Sequence, residues 1–336
     1  METDRVRAPN IRDVAALAGV SYQTVSRVLN DSPSIRPSTR ERVLAVIQEL
    51  GYRPNQAARA LVTSRSGMIG VLSTQSTQYG PTTSVNAIEE AARAAGYRLS
   101  ITTVSTGDAS SLAAAVDYLL SQAVEAIVMI APQVGLLEAL SGLSIAVPFV
   151  TLESTGRDSD HSLSVDQVAG ARLATAHLVA LGHREIAHLA GPADWTEANA
   201  RREGFRLEIA AAGLREHPVL TGDWSARSGY EVGLRILETG GISAVFAGND
   251  QMALGLVHAA NELGIAVPGH LSVVGFDDIP EAAHFLPALT TVRQNFAEIG
   301  RRAIAQLLAE LRGGGDSHEH GRISPELVVR ASAAPR

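Results

Sequence analysis

From Met68 onward the chain alternates short β-branched apolar runs with stretches of helical length, and this alternation restricts the fold more than any other feature. The runs MIGVLS (68–73), YRLSITTV (97–104), EAIVMIA (125–131) and VPFVTL (147–152) are separated by helical patterns near 84–95, 110–122 and 133–141. A second series starts near 165, with EIAHLA (185–190), SAVFAG (243–248) and LSVVGF (271–276) and helical patterns near 167–181, 197–212, 228–238 and 250–263. A strand that is apolar on both faces has to be covered on both faces, and parallel neighbours need a long crossover, which a helix supplies. The expected architecture is two doubly wound parallel-sheet α/β units, with LTTVRQN (289–295) crossing back to the first. Such units bind ligands outside the carboxyl ends of their strands.

The first 65 residues follow another rule. In Ile11–Asn30, IRDVAALAGVSYQTVSRVLN, the residues Val14, Leu17 and Ala18 fall at i, i+3, i+4, and Val25, Val28 and Leu29 repeat that spacing. Gly19 suits the positive φ of a helix end, and Ser21 can cap a second helix. Gln23 and Arg27 lie four apart on another face, with Tyr22 beside them. Two short helices, one buried seam and an exposed Tyr/Gln/Arg face meet the requirements of a helix-turn-helix, whose second helix enters the major groove N-terminus first. Gln pairs bidentately with adenine and Arg with guanine. Ser21, Thr24 and Asn30 suit phosphate oxygens. An αα-hairpin with a solvated polar face shares the same spacing.

The net charge of −7 argues against nucleic acid until its distribution is considered. Residues 1–65 carry +4, from 10 Arg against 6 Asp and Glu, and the remainder carries −11. A basic head on an acidic body fits a small DNA-binding module joined to a ligand-binding core. All 28 basic residues are Arg, so every cationic contact is made by a guanidinium. Hydrophobic content of 46% with 4% aromatic fits an aliphatic α/β protein, and the absence of Cys removes disulfides and thiolate metal sites. No apolar leader opens METDRVRAPN and no apolar run is long enough to span a bilayer, so a cytoplasmic protein is expected. No GxGxxG follows a strand, no P-loop occurs and no nucleophile–base spacing stands out, so no enzyme, catalytic residue or cofactor is expected.

Taken in order, the first ten residues read as disordered and NDSPSIRPS (30–38) as a turn-rich connector. A third helix over Thr39–Leu50 carries the stripe Val43, Leu44, Ile47, Leu50 and ends at Gly51. It starts either with Pro37 in its first turn or from a Ser38/Glu41 capping box. After Arg53-Pro54, NQAARALVTS (55–64) reads as a short helix, marginal on its own. The loop RGGGDSHEHG (312–321) places His318 and His320 around a Glu; in a flexible loop that pattern is ordinarily solvent-exposed, and no metal is expected. Polar and aromatic groups gather at strand ends: Asn249 and Asp250, Asp277 and Asp278, Gln294 and Phe296, with Arg201 near a helix start and Trp224 in a loop. Forked polar groups with aromatic platforms are what a sugar needs. Each acid or amide taken singly could instead cap the next helix, and for Asp278 that reading is preferred.

DVAALAGVSYQTVSRVLN resembles the DNA-binding headpiece of the LacI/GalR family. LVALGHREIAHLAGP (178–192), GDWSARSG (222–229), NDQMALG (249–255), LSVVGFDD (271–278) and PALTTVRQNF (287–296) resemble further segments of that family in the same order, so the likeness covers nearly the whole chain. The resemblance implies an all-α headpiece at 1–54, a hinge helix at 55–65 and a core at 66–336 resembling periplasmic sugar-binding proteins. The core's N-subdomain would take about 66–164 and 293–323, and its C-subdomain about 165–292 and 324–336.

In the family the hinge leucine, here Leu61, wedges into the minor groove; on the residues alone, packing on the core surface is the preferred reading. Pro81, Glu153, Arg201, Trp224, Asn249, Asp277, Gln294 and Phe296 match inducer-contacting positions. Glu153 departs from the family's aspartate by one methylene, and STQSTQYGPTTS (73–84) is far more polar than its family counterpart, with Gln78, Gly80 and Ser84 unmatched. The implied function is a repressor of a sugar-utilisation operon, released from a pseudo-palindromic double-stranded operator by a small carbohydrate inducer, a galactoside or related glycoside. Alternatives are a corepressor-type regulator and a transport-type sugar-binding protein. The leucine heptad of tetrameric members has no counterpart in the final SAAPR, so a homodimer is expected. Arg201 is expected to carry much of the ligand affinity, so that Arg201→Ala leaves operator binding intact and abolishes release.

Overall fold

The computed structural model describes residues 9–30, 32–53, 65–74, 77–104, 109–154, 161–313 and 322–336. The chain divides into two compact units, Met1–Ser66 and Gly67–Arg336. The expected hinge helix with Leu61, and the loop histidines His318 and His320, lie outside the described residues.

The first unit contains α1 (Ile11–Leu17), α2 (Tyr22–Leu29) and α3 (Pro37–Leu50). Asn10, read as disordered with the rest of the first ten residues, instead caps α1. Its side chain accepts the backbone N–H groups of Arg12 and Asp13, and its own N–H donates to the Asp13 carboxylate at 2.7 Å. Gly19 takes φ +62°, and the Ser21 hydroxyl accepts the Thr24 N–H at 3.1 Å, as the turn requires. α3 begins at Pro37 after Arg36, so Ser38 does not cap it, and Gly51 ends it at φ +60°. The seam is built from Val14, Ala15, Ala18, Val25, Val28, Val43 and Val46. Leu17 and Leu44, expected on it, are 59% and 48% exposed. Helical periodicity defines an apolar arc, and the crossing points of the neighbouring helices decide which edge of that arc is buried.

The second unit holds two parallel sheets. The first has strand order β2-β1-β3-β4-β5, from β1 (Met68–Thr74), β2 (Arg98–Val104), β3 (Ala126–Ile130), β4 (Phe149–Leu152) and β5 (Ser162–Leu163). Its helices are α4 (Tyr79–Ala94), α5 (Ala109–Ser121) and α6 (Val134–Ser141). Within β3, Ala126, Val128 and Ile130 join one core while Ile127 and Met129 join the other, so a continuous apolar run resolves into two packed faces. The second sheet has order β7-β6-β8-β9, from β6 (Ile186–Ala190), β7 (Leu220–Thr221), β8 (Ala244–Ala247) and β9 (Ser272–Val274). Its helices are α7 (Gln167–Ala180), α8 (Thr196–Ala211), α9 (Ala226–Glu238) and α10 (Asp250–Glu262). Along β8 the same split recurs, with Val245 and Ala247 on the α9/α10 side and Ala244 and Phe246 on the other. Helices α9 and α10 cross so closely that a Cβ on Gly229 would lie 2.3 Å from the Met252 carbonyl and one on Gly255 would lie 1.9 Å from that of Ala226.

After β10 (Thr291–Arg293), the chain enters α11 (Phe296–Leu311), which packs with α4 on the first sheet. It then returns through Ile323 to β11 (Glu326–Val328), antiparallel to β10. Sequence periodicity did not assign α11, β5, β7 or β11, and it started α4 about five residues late. Tyr79, Gly80 and Pro81 form the first turn of that helix rather than a loop. The two subdomains are also joined by a backbone clasp: the Thr196 N–H donates to the Pro132 carbonyl at 2.7 Å, and the Val134 N–H to the Asp194 carbonyl at 2.9 Å. Among the described residues no helix is long and apolar enough to cross a membrane.

Candidate nucleic-acid interface and ligand cleft

On α2 the side chains of Tyr22, Gln23 and Arg27 are exposed while Val25 and Val28 are buried, so one helix face is free to enter a groove. Ser21 and Thr24 sit at its N-terminus, hydroxyl to hydroxyl at 3.0 Å, where unsatisfied backbone N–H groups and the helix dipole favour an anion. Asn30 lies at the opposite end as the C-cap residue. Ser21, Tyr22, Gln23 and Thr24 therefore form one patch with Arg27 a turn further on, and Asn30 stands apart from it.

In the second unit, Pro81, Glu153, Arg201, Trp224, Asn249, Asp277, Gln294 and Phe296 all line one cleft between the subdomains, with about 670 Å³ of empty space. Gln78, Gly80 and Ser84, the polar departures near the start of α4, line it too. The floor is a closed ring of hydrogen bonds. Arg201 Nε donates to Gln167 Oε1 at 2.8 Å, Gln167 Nε2 to Gln294 Oε1 at 2.7 Å, Gln294 Nε2 to Asp277 Oδ1 at 2.7 Å, and Arg201 Nη2 to the same Oδ1 at 3.3 Å. Arg201 Nη1 also donates to the Gly248 carbonyl. A guanidinium has five N–H donors, and three of those of Arg201 are engaged by these partners. Its carbon lies 3.8 Å from the Phe276 ring centroid and 5.4 Å from that of Trp224.

Burial pushes the Arg201 pKa down, opposed by Asp277, Glu197 and Asp250, and pushes Asp277 up, opposed by Arg201 and Gln294. Asp277 and Asp278 take φ of +113° and +54°, left-handed values that side chains with a Cβ rarely adopt. Asp278 turns away to Arg293 at 2.7 Å and Arg330 at 2.6 Å, tying β10 to the segment just after β11. Asp250 is wholly buried; it accepts the Thr291 hydroxyl at 2.5 Å and the Ile279 N–H at 2.9 Å.

Asn249 lines the cleft, but its amide is engaged within the protein. Its Oδ1 accepts the Met252 N–H at 2.9 Å as the cap of α10, and its Nδ2 donates to Gln251 and to the Trp224 carbonyl at 3.0 Å. Asn249 thus fixes Trp224, which stands at φ +74°. The Trp224 ring lies edge-on to Trp195 at 5.7 Å, and its indole N–H is buried with no acceptor among the described residues. Phe296 meets Tyr79 edge-on at 5.9 Å. Glu153 is buried and accepts the Ser162 hydroxyl at 2.6 Å.

Sequence reasoning missed Gln167, Trp195, Tyr79 and Glu197, which line the same cleft. Gln167 gave a faint signal as a polar first residue of an Ala-rich helix. Glu197 gave another, standing four residues before Arg201 on one helix face.

Residues 10–55 match the family described as bacterial regulatory proteins, lacI family, and residues 175–333 match the periplasmic binding protein-like domain. The lactose operon repressor of Escherichia coli (strain K12) is 35% identical over 90% of this chain and 84% of its own length. The transcriptional repressor PurR of Pasteurella multocida (strain Pm70) is 32% identical over 97% of this chain and 99% of its own. The crystal structure of the lac repressor dimer bound to operator and the anti-inducer ONPF superposes with a TM-score of 0.85 at 33% identity, covering 98% of this chain and 100% of that one. A complex of the transcriptional regulator CelR with cellobiose gives 0.70 at 29% identity, covering 96% of this chain and 99% of that one. With a reading helix in one unit, a polar cleft in the other and relatives matched along nearly the full chain, the protein belongs to the LacI family of bacterial regulatory proteins and is a DNA-binding transcriptional repressor.

Proposed function

We propose that this repressor acts as a homodimer on a pseudo-palindromic operator and is released from it by a small sugar bound in the cleft. Tyr22, Gln23 and Arg27 read base edges of each half-site, and Ser21, Thr24 and Asn30 contact phosphates. Leu61 is the minor-groove wedge of a hinge helix that orders on the operator. One headpiece offers little area, so two-fold symmetry doubles the contact. The lac repressor dimer on its operator supports this arrangement by likeness.

The observation that carries the ligand reading is the cleft chemistry. Arg201, Asp277 and Gln294 present forked polar groups beside the Trp224 and Phe296 rings, with an unused indole N–H among them. Neighbouring hydroxyls with an apolar ring face fit that set. The cellobiose complex of CelR and the lac repressor bound to ONPG support a glycoside. The purine-type relatives keep a planar heterocycle as the second candidate.

The test begins with an operator selected from random DNA and a thermal-shift panel of lactose, cellobiose, other β-glycosides and a purine base. Operator affinity is then titrated by fluorescence anisotropy with and without the best panel member. A loss of about 5- to 150-fold is expected, the usual range of allosteric coupling. Unchanged affinity under saturating ligand refutes the coupling, and tighter binding makes the ligand a corepressor.

A further inference from the structure

Glu197 has no part in the hydrogen-bonded floor of the cleft, yet it lines that cleft one helical turn before Arg201. Its position is fixed: the Ser154 N–H donates to the Thr196 hydroxyl oxygen at 3.4 Å, and that hydroxyl donates to Glu197 Oε2 at 3.1 Å. The other titratable or charged groups lining the cleft are Tyr79 on α4, Glu153 after β4, Arg201 on the same helix and Asp277 after β9. Among the described residues the cleft thus sets three carboxyl groups against one guanidinium, and that guanidinium is already turned to Asp277. Such a wall sets more carboxyl groups than guanidinium against a bound anion.

We propose that Glu197 sets the charge class of the effector: carrying a proton, it donates to a hydroxyl of an uncharged ligand, and as a carboxylate it repels an anionic one. The proposal rests on the cleft being the effector site. Partial burial raises the Glu197 carboxyl to about 7; its own backbone N–H, Arg201 and Thr196 oppose the rise and Glu153 adds to it. Both forms are therefore present near neutrality, and a neutral ligand that accepts from the protonated form takes up a proton on binding. Its affinity falls as pH rises, by about tenfold between pH 6 and pH 8 for one linked proton.

The experiment titrates the full-length protein by calorimetry between pH 6 and pH 8.5. Lactose, cellobiose and a purine base serve as neutral probes, galacturonate and galactose 6-phosphate as anionic ones, and galactosamine as the cationic one. The expected result is a neutral probe whose affinity drops about tenfold by pH 8, with no binding of the anionic probes. Glu197→Gln should bind the neutral probe with a flat pH profile and admit the anionic analogue. Glu197→Ala, measured alongside, should also be flat but weaker. A flat wild-type profile, an undiminished slope in both variants, or an anionic probe bound as tightly as its neutral parent overturns the proposal. So does a preference for galactosamine that grows with pH, because an ammonium selects the carboxylate. A purine base bound in place of the sugars, with the same pH slope, overturns the sugar reading and leaves the role of Glu197 standing.

Discussion

Replacing Arg201 by Ala should unfold the core more readily as well as weaken ligand binding, because the guanidinium is part of the architecture. It is 4% exposed and its removal leaves Asp277 buried without its counter-ion, and Gln167 and the Gly248 carbonyl without their donor. Breaking one side of a buried pair costs about 3–5 kcal/mol. Asp277 can limit the loss by taking a proton, and protonating an ordinary Asp at pH 7 costs about 4 kcal/mol, which sets the scale of the electrostatic part. The expected deficit is therefore about 4 kcal/mol at pH 7, or about 7 °C in Tm for a unit of this size.

The pH dependence has a definite sign. Burial already raises the folded pKa of Asp277, and loss of Arg201 raises it further. A group whose folded pKa lies above its unfolded value contributes stability at low pH and loses it as pH rises, so the deficit should shrink at pH 5 and grow at pH 8. The assay is urea unfolding followed by tryptophan emission. The chain has two Trp, and both line the cleft. Arg201→Leu with Asp277→Asn removes both charges and should recover part of the loss. A deficit below about 1 kcal/mol at pH 7, or strict additivity of the two single changes, would refute the reasoning. Operator binding by Arg201→Ala is then expected to survive only where the core stays folded, which revises the expectation drawn from sequence.

Arg27→Ala should cost about 1–3 kcal/mol on the selected operator and relax one base position; an equal loss on random DNA would make Arg27 a phosphate contact. Gly191→Ala would put a Cβ 2.1 Å from the Trp224 ring, so it should displace that ring, shift tryptophan emission and cut ligand affinity at least tenfold in the thermal-shift panel. An unchanged emission maximum would show that the ring is not seated as described. His188 is buried between Phe205 and Phe246 and donates through Nδ1 to the Phe246 carbonyl at 2.9 Å; burial lowers its pKa to about 4. Its folded pKa lies below the unfolded value, so it contributes full stability above pH 6.5 and loses about 3 kcal/mol as pH falls through 4. His188→Leu should lower the slope of stability against pH in that window by one proton, and an unchanged slope would show that His188 does not titrate there.

Periodicity and turn chemistry settled much of the local structure, but not α11, β5, β7 or β11, nor the first turn of α4. Gly19 and Gly51 at positive φ, Ser21 capping α2 and the apolar runs of β3 and β8 are each dictated within a few residues of chain. The convergence of Arg201, Asp277, Gln294 and Trp224 was legible partly from their places at strand ends, a helix start and a loop, where a doubly wound sheet delivers its side chains to one edge, and partly from the family resemblance. What each group does there depended on tertiary partners that no spacing reveals. Asn249 spends its amide on capping α10 and holding Trp224, Asp278 is taken by two arginines, and Gln167 closes a ring with Gln294 from 127 positions away. Glu197 escaped notice for the same reason. A carboxylate in the first turn of a helix is ordinary in sequence, and it is its own desolvation in the cleft, with a smaller push from Glu153, that raises it to about 7.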